Sequence, residues 1–291
     1  MTDAAERYAE AVERVLTQRT RLRGPEPPSD PFADTDPGHV LMRADPRRPL
    51  TPNQETIVGF IEPDDIVVDI GGGAGRYSLP LALRCREVIN VDSSAAMGRA
   101  FLANAAAAEI ANVRFIHADW ETIDPPTGTV ALVNHVTYLT RDIVPFIEKL
   151  ERAGSRRVIV TVHAPPPTHR QHRLFELVHG EPEARAPGHE ALMAVLWERG
   201  ILPDLRMLGG VPRGETPRAT RREAIDAAVE SFKAEQWAFW PYEPALKRRV
   251  EEGLEANFDT LFAAGPSGFL PTWPDYGRDV LITWQPPIDR Q

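Results

Sequence analysis

Short apolar runs alternate with helical stretches through the middle of the chain, from about residue 65 to residue 162. The runs are almost continuously apolar, which is typical of strands buried on both faces of a parallel sheet. This alternation predicts an α/β fold with a doubly wound sheet and helices on its two faces. The predicted strands are 66–70, 87–91, 113–117, 130–134 and 156–162, and the predicted helices between them are 75–85, 93–109 and 141–152.

The segments on either side of this alternation extend the prediction. Residues 3–22 have apolar side chains at helical spacing, whereas residues 24–50 are rich in Pro and Asp and are predicted to be irregular. Thr51 is a good N-cap for a helix that begins at Pro52, with Gln54 as its capping-box partner. Beyond residue 162, the patterns predict a helix at 188–200, a sixth strand within 201–208 and a last strand at 279–285.

A long insertion separates the last two predicted strands. It contains two helical patterns and an aromatic cluster at 237–242, WAFWPY. We therefore expect four parts: an N-terminal helix and cap segment (1–50), a core (51–211), a helical insertion that could cover a substrate (212–275), and the last core strand (276–291).

Composition limits the classes of function. The 291 residues carry a formal net charge of −9, which disfavours non-specific binding to nucleic acid or to an anionic membrane. The N-terminus lacks the apolar core of a signal peptide, and no run reaches about 18 apolar residues. The single cysteine, Cys85, excludes an intrachain disulfide. We expect a soluble cytoplasmic protein without a membrane partner.

The stretch VVDIGGGAGRY (67–77) joins the first predicted strand to a helix through a glycine-rich loop. Such loops let a ligand lie against the backbone. The dinucleotide fingerprint would place its third glycine at Arg76, and the Gly-Lys-Ser/Thr of a P-loop is absent. Asp69 would repel a pyrophosphate and suits a ligand with a positive group.

These residues resemble motif I of the class I S-adenosylmethionine (SAM)-dependent methyltransferases, D-x-G-x-G-x-G, at Asp69, Gly71, Gly73 and Gly75. The resemblance covers about residues 50–165 well and the last strands loosely. It implies a Rossmann-like seven-stranded sheet of the class I methyltransferase type, with helical additions at the N-terminus and between strands 6 and 7. It also implies SAM as cofactor and S-adenosylhomocysteine (SAH) as product.

The same resemblance assigns cofactor contacts to the ends of the next three strands. Asp92 would bind both ribose hydroxyls, and Asp119 would accept a hydrogen bond from the adenine amino group. The other implied contacts are Ser93, Met97 and Trp120 around the adenine and Asn134 facing the methionine part. Simpler roles remain open: Asp69 at a helix dipole, Asp92 as an N-cap, Asp119 in a turn and Met97 in the core.

Candidate catalytic residues follow the fourth and fifth strands. Ligands bind at the carboxyl ends of such strands, so His135, Tyr138 and His163 are candidates to orient the acceptor or remove its proton. A purely structural role is the alternative for each. No metal site is expected, because His169 and His172 have no accompanying cysteine or carboxylate cluster.

The predicted function is transfer of a methyl group from SAM to an oxygen or nitrogen atom of a small molecule. The chain lacks the Asn/Asp-Pro-Pro-Tyr motif expected after the fourth strand of enzymes that methylate base amines. Tyr8 and the aromatic residues Phe239, Trp240 and Tyr242 could form an apolar wall for the acceptor. The alternatives are an RNA or protein methyltransferase, a non-catalytic SAM-binding protein and, least favoured, an NAD-dependent oxidoreductase; a homodimer is left open.

Overall fold

A computed structural model describes residues 3–23, 30, 32–33, 44–166, 172–209, 216–237, 244–273 and 277–287. Helices and strands alternate along most of this part of the chain. The helices are α1 (Ala4–Arg23), α2 (Pro52–Val58), α3 (Ser78–Ala82), α4 (Ala95–Ala107), α5 (Ile143–Ala153), α6 (His172–His179), α7 (His189–Glu198), α8 (Arg221–Trp237), α9 (Pro244–Ala256) and α10 (Phe258–Leu261). The strands are β1 (Ile66–Ile70), β2 (Glu87–Asp92), β3 (Val113–His117), β4 (Gly128–Asn134), β5 (Gly154–Ala164), β6 (Asp204–Met207), β7 (Phe262–Gly265), β8 (Gly268–Pro271) and β9 (Arg278–Trp284).

Seven of these strands form one sheet in the order β3-β2-β1-β4-β5-β9-β6. The first five pair in parallel, and β9 lies antiparallel between β5 and β6. The expected seven-stranded, doubly wound α/β sheet is confirmed. The order of strands along the sheet reverses between β1 and β4, and the carboxyl ends of strands at such a point form the usual ligand crevice of α/β proteins.

Local sequence signals account for most boundaries of the elements. The predicted strands agree with the observed ones within about two residues, and the capping box of α2 is present, with Gln54 N donating to Thr51 Oγ1. The helix predicted at 75–85 is shorter, since α3 begins only at Ser78. Gly71, Gly73 and Gly75 all have positive φ angles, which a right-handed helix cannot accommodate, so the glycine loop delays the start of α3.

The insertion between β6 and β9 has a hydrophobic core of its own. Residues of α8, α9, α10 and the hairpin β7-β8 are buried together, and α6 contributes to the same cluster. Neither α6 nor the hairpin is predicted from the sequence. The largest fully buried side chains of this cluster are Phe175, Phe232 and Phe258. The division of the chain into four parts stays a prediction.

Helix α1 packs against the main sheet domain through its apolar face. Ala4, Tyr8, Val12 and Val15 are buried in one cluster with residues of β4, β5, α5 and α7. The Tyr8 hydroxyl donates a hydrogen bond to Thr137 O at 2.8 Å. Tyr8 therefore supports the turn that follows β4, and it is not part of an open wall as the sequence suggested. Of the helices in the described residues, none combines the length and apolarity needed to cross a bilayer.

Candidate active site

The glycine loop lies between β1 and α3 and is fitted closely to its surroundings. A Cβ atom at Gly71 would lie 2.5 Å from Val136 Cγ2, and one at Gly75 would lie 2.6 Å from Leu79 Cγ. Hydrogen bonds hold the loop from the side of β2, because Gly71 N donates to Val91 O and Asn90 Nδ2 donates to Gly73 O. The loop therefore presents backbone at the carboxyl end of the sheet.

Asp69 lies at the end of β1, directly beneath this loop. Its carboxylate is buried, and among the described residues neither oxygen has a hydrogen-bond partner of ordinary geometry. Burial raises the pKa of Asp69 to about 7, although the nearby Ser78 hydroxyl acts in the opposite direction and Asp92 adds to the rise. A buried carboxylate without a partner is costly, and such groups cluster at functional sites.

Asp92 ends β2 and connects the glycine loop to the next turn. Its two oxygens accept hydrogen bonds from Gly73 N at 2.9 Å and from Ser94 N at 2.8 Å. Burial raises the pKa of the Asp92 carboxyl, and these hydrogen bonds partly oppose the rise. The N-cap of α4 is Ser94, whose hydroxyl accepts from Met97 N, so the alternative role of Asp92 as N-cap is wrong.

The residues assigned to the adenine have different environments. Ser93 is exposed, whereas Met97 is buried in a small cluster with Ala74 and Ala96, against which Phe32 also packs. Met97 thus has the core contacts of its simpler role and still adjoins the loop, since a Cβ at Gly73 would lie 3.8 Å from its sulfur.

Asp119 and Trp120 follow β3 and differ sharply in burial. Asp119 is exposed, and its Oδ1 accepts a hydrogen bond from Glu121 N at 2.9 Å, as in the turn that was its simpler role. Trp120 is buried in the main core, edge-on to Phe146 and beneath the ammonium of Lys149. Its packing favours a core role; the adenine contacts of both residues stay predictions.

The segment after β4 brings three assigned residues together. Asn134 Oδ1 accepts from Thr161 Oγ1 at 2.7 Å, which fixes the amide. His135 has a φ of 60°, a conformation that non-glycine residues rarely adopt and that is common at functional sites. The rings of His135 and His163 are stacked with centroids 3.8 Å apart, and Tyr138 Oη lies 3.4 Å from His135 Nδ1. The three catalytic candidates therefore form one cluster.

Two residues that the sequence did not point to complete this cluster. Asp279 Oδ1 lies 2.7 Å from His163 Nδ1 and 3.9 Å from His135 Nε2, and its Oδ2 accepts from Asn53 Nδ2 at 2.6 Å. Burial opposes ionisation of Asp279, but the two histidines and Asn53 outweigh it and lower the pKa to about 2. The sequence signal that could have pointed to Asp279 was a carboxylate at the start of a buried strand. Which residues it contacts, however, depends on the strand beside which β9 pairs.

The cluster also offers three ligand atoms, from His135, His163 and Asp279, within 4.8 Å of one another. A metal ion lies close to the plane of each imidazole that binds it. Rings that are almost parallel and 3.8 Å apart cannot both place one ion in their planes, so this arrangement does not fit an ion shared by both histidines. Of the two histidines first weighed for a metal, His172 begins α6, and His169 lies outside the described residues, as do Phe239, Trp240 and Tyr242.

Comparisons with known proteins agree with this fold. Residues 67–154 match the family described as a methyltransferase domain. YcgJ from Bacillus subtilis is a solved structure with a TM-score of 0.54 at 15% identity, and the similarity covers 79% of this chain and 96% of that chain.

Two sequence relatives are distant or match only part of the chain. An uncharacterized protein of Haemophilus influenzae is 26% identical over 222 residues, which is 73% of this chain and 75% of that protein. The 23S rRNA (uracil(1939)-C(5))-methyltransferase RlmD of Vibrio campbellii is 38% identical over 66 residues, which is 22% of this chain and 15% of that enzyme.

The sheet order and the glycine loop at its switch point define an α/β protein with the Rossmann-like methyltransferase fold. Residues 67–154 match the methyltransferase-domain family, and the sheet around them has the fold of the class I SAM-dependent methyltransferases, which together indicate an enzyme of methyl transfer.

Proposed function

We propose that this enzyme takes its methyl group from SAM and transfers it to an oxygen or nitrogen atom of a small molecule by in-line displacement. The observation that carries the proposal is the buried Asp69 carboxylate, which has no ordinary hydrogen-bond partner among the described residues and lies two positions before the glycine loop. The α-ammonium of SAM supplies the positive group that such a carboxylate lacks. A pyrophosphate would be repelled there.

The site residues then have distinct tasks. The backbone at Gly71, Gly73 and Gly75 lets the cofactor approach closely, and Asp92 binds the ribose hydroxyls. Bound SAM supplies a methyl group already activated by the sulfonium, so the protein mainly orients the acceptor and excludes water. The remaining proposed cofactor contacts are Ser93, Met97, Asp119, Trp120 and Asn134.

A small-molecule acceptor is favoured over RNA by the acidity of the chain, which has a net charge of −9. RNA is the second candidate, because the chain matches 66 residues of an rRNA methyltransferase. A covalent route through cysteine is disfavoured: burial raises the pKa of the Cys85 thiol to about 11, so little thiolate is present at neutral pH. A cytoplasmic location and a homodimer stay predictions.

Calorimetric titration with SAM, SAH and NAD tests the proposal. We expect micromolar binding of SAM and SAH and no binding of NAD. Binding of NAD alone would identify an oxidoreductase. Binding of SAM together with product formation on RNA, but on no small molecule, would replace the acceptor class and keep the cofactor.

Replacing Asp92 by Ala is expected to weaken SAM binding by about 1–3 kcal/mol, because charge-assisted hydrogen bonds to the ribose are lost. Calorimetry measures the change, and thermal unfolding shows whether loss of the contacts to Gly73 N and Ser94 N also loosens the loop. The exposed carboxylate Asp124 provides a control in Asp124→Ala. Unchanged SAM affinity in the Asp92 variant would rule out the ribose assignment.

A further inference from the structure

We propose that His163 is the general base of the reaction, that Asp279 and Asn53 are positioning residues that set its tautomer, and that the acceptor atom is a hydroxyl oxygen. This inference rests on the proposed function and narrows the acceptor from oxygen or nitrogen to oxygen.

The contact between His163 and Asp279 fixes which ring nitrogen carries hydrogen. An ionised carboxylate can only accept, so an Asp279 Oδ1 that lies 2.7 Å from His163 Nδ1 favours the tautomer with hydrogen on Nδ1 and the lone pair on Nε2. The carboxylate is held from its other side by Asn53 Nδ2. The antiparallel register pairs His163 directly with Asp279, so neighbouring backbones also fix the geometry.

The remaining groups around the ring restrict its orientation. Tyr138 Oη accepts from His163 N at 2.5 Å, and the Tyr138 and His163 rings are nearly parallel. The His135 ring also stacks on the His163 ring, and the Tyr77 ring lies 6.3 Å from the His135 ring, measured between centroids. Burial raises the pKa of Tyr77 to about 12. Among the described residues, Tyr77, Tyr138 and Asp279 are titratable groups that lie against the two histidines.

The cluster adjoins the proposed cofactor site. His135 and His163 follow the carboxyl ends of β4 and β5, and Val136 contacts the glycine loop at Gly71. The His163 side chain is 21% exposed, so a small molecule can reach it. A base at His163 would therefore lie beside the glycine loop, whereas Asp69 lies beneath it.

A base in this position favours a hydroxyl over a neutral amine as the acceptor. A neutral amine attacks with its own lone pair, whereas a hydroxyl must lose its proton as it attacks. His163 Nε2 accepts that proton while an electron pair of the oxygen forms the bond to the methyl carbon. The electrons of the broken carbon–sulfur bond stay on sulfur, giving a neutral thioether. Asp279 stabilises the imidazolium, which then returns its proton to water.

The tautomer can be measured without knowing the acceptor. We expect long-range ¹H–¹⁵N NMR spectra of the full chain bound to SAH to show His163 with hydrogen on Nδ1. His163→Gln assigns the signals, and Asp279→Ala should shift the ring toward a mixture of tautomers. A ring with hydrogen on Nε2 in the unaltered protein would overturn the proposal. Tight binding of Zn²⁺ alone that His163→Gln abolishes would also overturn it.

Activity distinguishes this proposal from the one on which it rests. SAH release is measured with matched hydroxyl and amine compounds, such as phenol and aniline or catechol and 1,2-diaminobenzene. We expect turnover of a hydroxyl compound, with kcat about 10²–10⁴-fold lower in Asp279→Asn and His163→Gln and an unchanged KM for SAM. Asn53→Ala should show a smaller loss, and His172→Gln, outside the cluster, should match the unaltered protein.

The results of these assays distinguish failure of the hydroxyl assignment from failure of the proposed function. Turnover of amines only would overturn the hydroxyl assignment and keep the proposed function. Failure to bind SAH would contradict the proposed function itself. If none of these compounds reacts, the tautomer measurement decides the inference.

Discussion

Replacing Asp69 by Asn is expected to remove a strong pH dependence of stability and to weaken SAH binding about 10- to 100-fold. The first effect follows from the coupling between proton binding and folding. The folded-state pKa of about 7 lies above the ordinary value of 3.8, so the unfolded chain loses this proton first as pH rises. The free energy of unfolding therefore falls between about pH 4 and pH 7 and stays lower above it.

Urea unfolding at pH 5 and pH 8 measures the size of this effect. The difference in unfolding free energy, Asn variant minus unaltered protein, should grow by about 3 kcal/mol between these pH values, because one pKa unit corresponds to about 1.4 kcal/mol. Asp124→Asn, which removes an exposed carboxylate, should stay within about 0.5 kcal/mol of the unaltered protein. A constant difference for the Asp69 variant would contradict the raised pKa.

The second effect concerns the cofactor. A charge-assisted hydrogen bond contributes about 1.5–3 kcal/mol, and Asn cannot replace the charge that the α-ammonium would meet. SAH affinity of the unaltered protein should also fall from pH 8 to pH 6, because Asp69 must lose its proton on binding. The Asn variant should lack that fall. Equal affinity of the two proteins at pH 8 would exclude Asp69 as the ammonium contact.

Replacing Gly75 by Ala is expected to destabilise the protein by about 2–5 kcal/mol. Gly75 has a φ of 91°, where an L side chain costs about 1–3 kcal/mol. The new Cβ would also lie 2.6 Å from Leu79 Cγ and 2.7 Å from Phe101 Cδ2, and overpacking a core costs about 1–3 kcal/mol. Urea unfolding at one pH gives the loss.

Gly180 provides the matched control for this substitution. Its φ is 72°, but a Cβ there would meet no atom within 4 Å. Gly180→Ala therefore carries the backbone cost alone, and we expect a loss of about 1 kcal/mol. Equal losses for the two variants would show that the surroundings of Gly75 can yield, which would contradict the tight packing of the glycine loop against α3 and α4.

Local signals in the sequence were sufficient to predict most of the strands and turns around the proposed cofactor site. The strands β1, β2 and β4 and the middle of β5 are nearly continuous apolar runs because both their faces are buried, and this pattern does not depend on which strands become neighbours. The capping box at Thr51 and Gln54 and the glycine loop at Gly71 are likewise properties of adjacent residues. The acids at the ends of successive strands could be found for the same reason.

Other elements had weaker local signals. The hairpin β7-β8 follows directly on α10, so the apolar spacing of the preceding helix concealed its start. Helix α6 follows a proline-rich segment and joins the insertion through the buried Phe175, a contact between parts distant in the chain. Trp120 could be placed at a strand end, but its orientation toward Phe146 was set by the packing of α5.

The sequence by itself therefore determined the α/β class, the strands and the glycine loop with its acids, since each depends on residues close together in the chain. Only the tertiary structure decided the polar cluster at His163. Asp279 and Asn53 reach it because β9 inserts antiparallel beside β5 and α2 packs at the same edge. A contact between residues so far apart in the chain leaves no periodic pattern in the sequence. It arises because β9 is buried between β5 and β6, and this burial sets the register that pairs His163 with Asp279.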